Sequence, residues 1–142
     1  MSLQRVVLAG LLAGLLLNIG EAVLHGVVLA AATEQAMAAL GRTDATSSTL
    51  GLSLLIGITF VQGLVGLWLY ALLAGRGVTR GRAAVVAGLA LWLLSAVYAA
   101  IYFGAGFPGV LAARVVWWPV AWELVEYPLA IFGGALLCRP KR

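Results

Sequence analysis

Four long runs of apolar residues take up most of this chain and constrain its fold more than any other feature. The runs cover residues 6–32, 50–74, 83–103 and 110–137. A helix of about 20 apolar residues crosses the hydrocarbon core of a bilayer, so each run is long enough for one span. A spanning segment has to satisfy its own backbone hydrogen bonds, which favours helices. The sequence therefore predicts one all-α integral membrane domain, residues 1–142, folded as an antiparallel bundle of four transmembrane helices.

The composition supports a membrane protein over a soluble one. Only 10% of the residues are charged, whereas a soluble domain has roughly a quarter. The net charge of +4 comes from basic residues that flank the apolar runs, so it indicates membrane topology and not a nucleic-acid partner. The single cysteine, Cys138, excludes an internal disulfide and a CxxC redox pair. The expected surroundings are a lipid bilayer.

The basic residues also predict an orientation. Seven of the nine lie on one side of the predicted membrane, and two lie on the other. The first side holds Arg5, Arg76, Arg80, Arg82, Arg139, Lys141 and Arg142, and the second holds Arg42 and Arg114. Since loops rich in lysine and arginine stay in the cytoplasm, both termini are expected to be cytoplasmic. Between the first two runs, a short helix is predicted, with Thr33 as its N-cap and Gly41 at its end.

Polar residues interrupt all four runs at a similar depth. At about 1.5 Å per residue, they lie roughly 20 to 24 Å along each helix from the arginine at its cytoplasmic end. This predicts one intramembrane polar cluster to which every helix contributes. Its members are Asn18, Glu21, Gln62, Ser95, Tyr98, Glu123, Glu126 and Tyr127.

Helical periodicity places the polar residues of the first and last helices on one face each. Gly10, Gly14, Asn18, Glu21 and His25 fall within an arc of about 80°, and the two glycines form a GxxxG close-packing motif. The face of the last helix comprises Pro119, Glu123, Glu126, Tyr127, Ala130 and Gly134. Because a carboxyl that faces lipid is costly, both faces are expected to point inward, where Glu21 would meet the other two glutamates.

No lysine or arginine lies at the depth of the cluster in any of the four runs, so the three carboxyls lack a cationic partner. At least one of them is expected to carry its proton near neutral pH, because like charges repel strongly in a low dielectric. His25 lies one turn beyond Glu21 and can pair with it at i,i+4.

Three functions are compatible with this cluster. The favoured one is a hydrogen-bonded layer that fixes helix register in an accessory or structural subunit, with a membrane-protein partner or a second copy. A proton-coupled transporter or a small-solute channel would use Glu21, Glu123 and Glu126. A metal or tetrapyrrole site would add His25 to these three glutamates, although bundle di-iron sites use Glu-x-x-His motifs that the chain lacks. The cofactor stays unassigned.

Enzymatic chemistry has little support. Neither Ser53 nor Ser95 stands in a GxSxG motif, and Ser95 has no histidine at its depth. The segment "GRGVTRGR" lacks the Lys-Ser/Thr pair of a phosphate-binding loop. An enzyme is therefore the less favoured interpretation.

Three stretches of the chain resemble a group of small bacterial membrane proteins. They are "LAGLLAGLLLNIGEAVLHGVVLA", "AMAALG" and "VVWWPVAWELVEYPLAIFGGALLCRP". In that group the first helix reads approximately AGLxxNxGExxLxGxxL, and the last carries a W-x-x-x-E segment before a Gly/Ala-rich end. The resemblance implies a four-span protein of the bacterial inner membrane, with Asn18, Glu21 and Glu123 or Glu126 as shared polar positions. It implies no activity, and His25 is not part of the pattern.

Overall fold

The computed structural model describes residues 2–39, 41, 49–106, 108–109 and 111–138, and within these ranges it contains helices and no strands. Four helical segments are long and apolar enough to cross a membrane. They are Leu3–Val28, Thr49–Gly75, Arg80–Gly106 and Ala113–Cys138. These bounds agree with the predicted runs to within about four residues. Of the basic residues used to predict the orientation, Arg42, Arg139, Lys141 and Arg142 lie outside the described residues.

Two of the four segments are not uniform α-helices. The first consists of α1 (Leu3–Val23) and a π-helical turn, Leu24–Val28. The third begins with α4 (Arg80–Trp92), which is followed by a π-helical turn at Leu93–Val97. It continues as the short helix α5 (Tyr98–Ile101) and ends in a second π-helical turn, Tyr102–Gly106. A π-helical turn holds an extra residue, so it changes the face on which later side chains lie.

The other two spans are continuous α-helices. They are α3 (Thr49–Gly75) and α6 (Ala113–Ala135), and α6 ends in a short 3-10 turn at Leu136–Cys138. Helix α6 runs unbroken through Pro119 and Pro128. Neighbouring helices allow this in a membrane bundle, because they can satisfy the carbonyls that proline leaves free.

The predicted short helix between the first two spans is present as α2 (Ala30–Ala39). Gly41, with a φ of 68°, follows it. The predicted N-cap was wrong: α2 begins at Ala30, and Thr33 lies inside it. The helical path is broken at Leu29, where φ is −105° and ψ is 3°, so the new helix starts directly after that residue.

The four spans pack as an antiparallel bundle. Helix α1 contacts α3 and α6, and α4 contacts the same two helices from the opposite side. The α1 and α3 directions are opposed, because Gly10 adjoins Leu64 while Gly14 adjoins Phe60. Helices α1 and α6 are likewise opposed, since the Arg5 carbonyl lies 3.9 Å from the Cys138 sulfur whereas Gly20 adjoins Glu126.

Small residues bring the helix backbones into direct contact. A Cβ atom on Gly63 would lie 2.5 Å from the Gly10 carbonyl oxygen and 2.7 Å from the Gly14 Cα atom. A Cβ on Gly88 would lie 2.5 Å from Pro128. Because lipid tails are as apolar as leucine, such van der Waals contact is a main source of helix association in a membrane. The predicted GxxxG contact at Gly10 and Gly14 is therefore with α3.

Large apolar side chains cover the outside of the bundle on all four spans. The interior instead holds small residues, among them Ala9, Ala13, Ala83, Ala84 and Ala87, which are at most 1% exposed. This distribution is the one expected of a helical bundle surrounded by hydrocarbon. The few polar side chains within these four helical segments do not follow this distribution.

Candidate functional site

The site lies where α1 and α6 meet, and its geometry depends on a glycine. The carboxyl of Glu126 occupies the space that a Cβ atom on Gly20 would fill. Because Gly20 has no side chain, the carboxyl of Glu126 can lie directly against the α1 backbone. Glu21 is the next residue of α1, and its carboxyl is within electrostatic range of both Glu123 and Glu126.

Glu21 and His25 form the outer part of the site. The His25 Nε2 atom lies 3.2 Å from a Glu21 carboxyl oxygen, one helical turn away. The two side chains are 47% and 24% exposed, respectively, so this pair lies at the edge of the bundle. The π-helical turn Leu24–Val28 carries His25, and such turns are frequent at functional sites. The predicted i,i+4 pairing is present.

Glu123 belongs to an inner part of the site. It is 7% exposed, and among the described residues it is the one acidic or basic side chain that is buried. Tyr127, one turn later on α6 and 2% exposed, lies within hydrogen-bonding reach of it. The Ser95 hydroxyl lies 2.6 Å from the Leu91 carbonyl oxygen and 3.1 Å from the Tyr127 hydroxyl, and it can donate its one proton to either oxygen. When Ser95 donates to Tyr127, the Tyr127 hydroxyl is free to donate to the Glu123 carboxyl, so the three side chains form a continuous hydrogen-bonded chain.

Glu126 differs from Glu123 in its surroundings. Its two carboxyl oxygens and the indole N–H of Trp122, one turn earlier on α6, are covered and form no well-aligned hydrogen bond in the described chain, although the indole and the carboxyl lie within hydrogen-bonding reach of each other. Both residues line a groove of about 450 Å³ between α1 and α6, whose remaining walls are the apolar side chains of Leu16, Val125, Leu129 and Ala130. A polar group left unpaired in apolar surroundings is costly, so it is normally satisfied by something.

The remaining predicted members of the cluster are Tyr98, Gln62 and Asn18, and Tyr98 lies on the outside of the bundle. Tyr98 is 65% exposed and stacks on Tyr102, with 6.2 Å between the ring centroids. Gln62 on α3 is half-buried, and its carbonyl oxygen has no partner within the described part of the chain. Asn18 donates to the Gly14 carbonyl oxygen at 2.9 Å and approaches the Ile56 carbonyl oxygen of α3 at 3.5 Å.

The hypothesis of a metal or tetrapyrrole site stays a prediction. Of the four proposed ligands, only Glu21 and His25 are in direct contact. Among the residues that the structure describes, no three histidine, cysteine, aspartate or glutamate side chains are arranged to hold a metal ion. A metal would therefore require rearrangement of Glu123 or Glu126. Metal analysis and the visible spectrum of the purified protein test both cofactors.

Sequence reasoning missed three residues that build the site. Gly20 is part of the "NIGE" motif, and a glycine directly before an intramembrane glutamate is a signal of close approach. Trp122 was not singled out as a polar residue, although its indole N–H needs a partner when it is buried. Trp92 donates its indole N–H to the Val120 carbonyl oxygen at 2.7 Å and thereby joins α4 to α6.

Comparison with protein-family models, curated proteins and solved structures gives no match for this chain. The site must therefore be interpreted from its own geometry.

Proposed function

We propose that the protein is a structural or accessory subunit of a membrane assembly, and that a transmembrane helix of its partner packs in the α1–α6 groove. One observation carries this proposal. The carboxyl of Glu126 and the indole N–H of Trp122 form no well-aligned hydrogen bond, and both residues line a groove that is otherwise apolar. They are an acceptor and a donor one helical turn apart, and a rotation of either side chain would turn its polar group toward a partner in the groove.

A helix is the ligand whose chemistry fits such a groove best. Apolar packing against Leu16, Val125 and Leu129 would use the same van der Waals contacts that hold the bundle itself together. A single polar side chain on the partner would satisfy Glu126 or Trp122. Hydrogen bonds between transmembrane helices contribute about 0.6 kcal/mol each on average and up to about 1.7, so this contact adds specificity to a packed interface.

The inner part of the site has a different role in this proposal. Glu123 and Tyr127 of α6 and Ser95 of the π-helical turn Leu93–Val97 lie within hydrogen-bonding reach of one another, so they can fix the register of the third and fourth helical segments without a partner. Glycine contacts at Gly63 and Gly134 bring backbones together inside the bundle, and this leaves little room for a solute path. Both features favour assembly over transport.

We also propose that the assembly belongs to a bacterial inner membrane and that both termini are cytoplasmic. The support is the resemblance in the first and last helices and the charge asymmetry. Arg5, Arg76, Arg80 and Arg82 lie at one end of the bundle, and Arg114 begins α6 at the other.

Gentle purification from native membranes tests the proposed function, with the particle size measured by native mass spectrometry and by crosslinking in the membrane. The wild type is expected to retain a partner. Glu126→Leu should release it, whereas Glu126→Gln, which keeps hydrogen-bonding atoms, should retain it. Val125→Leu, in the same groove, is the matched control because it changes shape without removing a polar group. A wild type that is a lone monomer in both measurements, or a Glu126→Leu complex of unchanged size, would refute the proposal.

Proton-coupled transport is a second candidate, and one observation favours it. The half-exposed Glu21–His25 pair is within electrostatic range of the buried Glu123, so protonatable groups extend from the edge of the bundle to its interior. Proton flux into liposomes should then fall in both Glu21→Gln and Glu123→Gln. Flux equal to that of the wild type in both variants would reject transport.

A further inference from the structure

One end of the bundle carries a concentration of arginines. Arg5 lies in the first turn of α1, and Arg80 and Arg82 lie in the first turn of α4. Arg76 lies in the turn that joins α3 to α4. The last described residue of α6, Cys138, is at this same end, because its sulfur lies 3.9 Å from the Arg5 carbonyl oxygen.

Two of these arginines, from helices on opposite sides of the bundle, converge on the end of α6. Arg5 and Arg80 are both within electrostatic range of the Cys138 side chain, and Arg80 is also within range of the Tyr70 hydroxyl. Cys138 and Tyr70 are 5% and 2% exposed, so the two arginines flank a packed and rigid part of the structure.

The chain supplies no counter-charge at this end. Its five acidic residues lie either within the spans or between the first and second spans, and they are Glu21, Glu34, Asp44, Glu123 and Glu126. Among the described residues, the one acidic–basic contact is that of Glu21 with His25, so Arg5, Arg76, Arg80 and Arg82 form no ion pair there. Three further basic residues follow Cys138 in the sequence. The positive charge therefore has to be balanced from outside the chain.

We propose that Arg5 and Arg80 bind the phosphate of an anionic phospholipid, and that Arg76 and Arg82 strengthen the site through their charge. The planar guanidinium group binds phosphate oxygens in a bidentate manner. The first turns of α1 and α4 add the positive ends of two helix dipoles. Clusters of basic residues at the ends of spans attract anionic lipid at about 1 kcal/mol for each residue.

A phospholipid fits this surface better than a free phosphate does. Leu3 is 77% exposed beside Arg5, and Val85 and Val86 of α4 are 47% and 49% exposed one turn beyond Arg80 and Arg82. These apolar side chains are next to the arginines along the same helices, so acyl chains can cover them while the phosphate reaches the guanidinium groups. A free phosphate would leave this apolar surface uncovered.

The test uses the full chain in nanodiscs that contain equal amounts of phosphatidylcholine and phosphatidylglycerol. Native mass spectrometry then counts the lipids of each kind that stay bound after release from the disc. The wild type should retain phosphatidylglycerol preferentially. Arg5→Gln and Arg80→Gln should each lower this preference by about fivefold, the equivalent of about 1 kcal/mol.

Arg114→Gln is the matched control, because Arg114, like Arg5 and Arg80, is an arginine in the first turn of a helix but lies at the opposite end of the bundle. It should leave the preference unchanged. The effect of salt can be measured on the wild type alone. Added salt should weaken the preference for phosphatidylglycerol, because it screens the charges of the arginines. Added inorganic phosphate should not displace the lipid.

Three results would overturn the proposal: equal retention of both lipids by the wild type, an Arg114→Gln effect as large as those of Arg5→Gln and Arg80→Gln, or full displacement by inorganic phosphate. The site is independent of the α1–α6 groove. Failure of either proposal therefore leaves the other unaffected.

Discussion

Replacing Gly63 by alanine tests whether α1 and α3 are held together by direct backbone contact. The new Cβ atom would lie 2.5 Å from the Gly10 carbonyl oxygen and 2.7 Å from the Gly14 Cα atom. The Gly14 backbone nitrogen would be closer still. To reach an ordinary contact of 3.4 Å, the helices must move apart by roughly 0.7 to 1 Å, and a gap of that size forfeits about a quarter to a half of each dispersion contact nearby. The backbone atoms of α1 cannot turn aside as a flexible side chain could.

The expected loss follows from two opposing effects. Overpacking of a close-packed interior costs about 1 to 3 kcal/mol, while alanine is favoured over glycine inside a helix by about 1 kcal/mol. Gly57→Ala separates the two effects, because it lies in the same helix and a Cβ there meets nothing within 4 Å. Since both substitutions have the same propensity gain, Gly63→Ala should be less stable than Gly57→Ala by about 1 to 3 kcal/mol.

The free energy of unfolding can be measured by titrating the detergent-solubilised protein with sodium dodecyl sulfate and following the far-ultraviolet circular dichroism. The midpoint should fall for Gly63→Ala and stay level or rise for Gly57→Ala. If both variants unfold at the same midpoint, the α1–α3 interface does not depend on close backbone approach, and the packing argument is wrong.

Three further predictions concern single groups. Trp92→Phe removes the donor to the Val120 carbonyl oxygen and should lower the free energy of unfolding by about 0.6 to 1.7 kcal/mol in the same titration. A neutral Glu123 should give an infrared carbonyl band of a protonated acid at neutral pH, and Glu123→Gln should remove it. A cysteine introduced at Thr79 should react with an impermeant maleimide only from the cytoplasmic side, and one at Ala112 only from the other side.

Each of these measurements has an internal control and a contrary outcome. Trp68→Phe alters an indole that is 58% exposed and should leave stability unchanged; an equal loss in both tryptophan variants would contradict the assigned hydrogen bond. Glu34→Gln, on the exposed face of α2, should leave the infrared band in place. Labelling of both introduced cysteines from one side would contradict the antiparallel arrangement of α4 and α6.

The depth of the polar residues could be predicted because helical rise is uniform. Counting from the end arginines places Glu21, Glu123 and Glu126 at one level, and the structure has them within electrostatic range of one another. The face of Tyr98 could not be predicted in the same way. It follows the π-helical turn Leu93–Val97, and an extra residue in a turn changes the direction of every side chain after it. Tyr98 is consequently on the outside of the bundle.

The sequence by itself determined the number, approximate length and helical character of the four long apolar segments, since a helix satisfies the backbone hydrogen bonds of an apolar run within the run itself. Only the tertiary structure decided which polar side chains have hydrogen-bond partners. Glu123 and Glu126 are the same residue type one turn apart on α6, yet Glu123 has the Tyr127 hydroxyl within reach, whereas the carboxyl of Glu126 lies against the Gly20 backbone and forms no well-aligned hydrogen bond. A hydrogen bond depends on ångström-scale positions of atoms from other helices, and such positions arise only when residues distant in the chain are packed together.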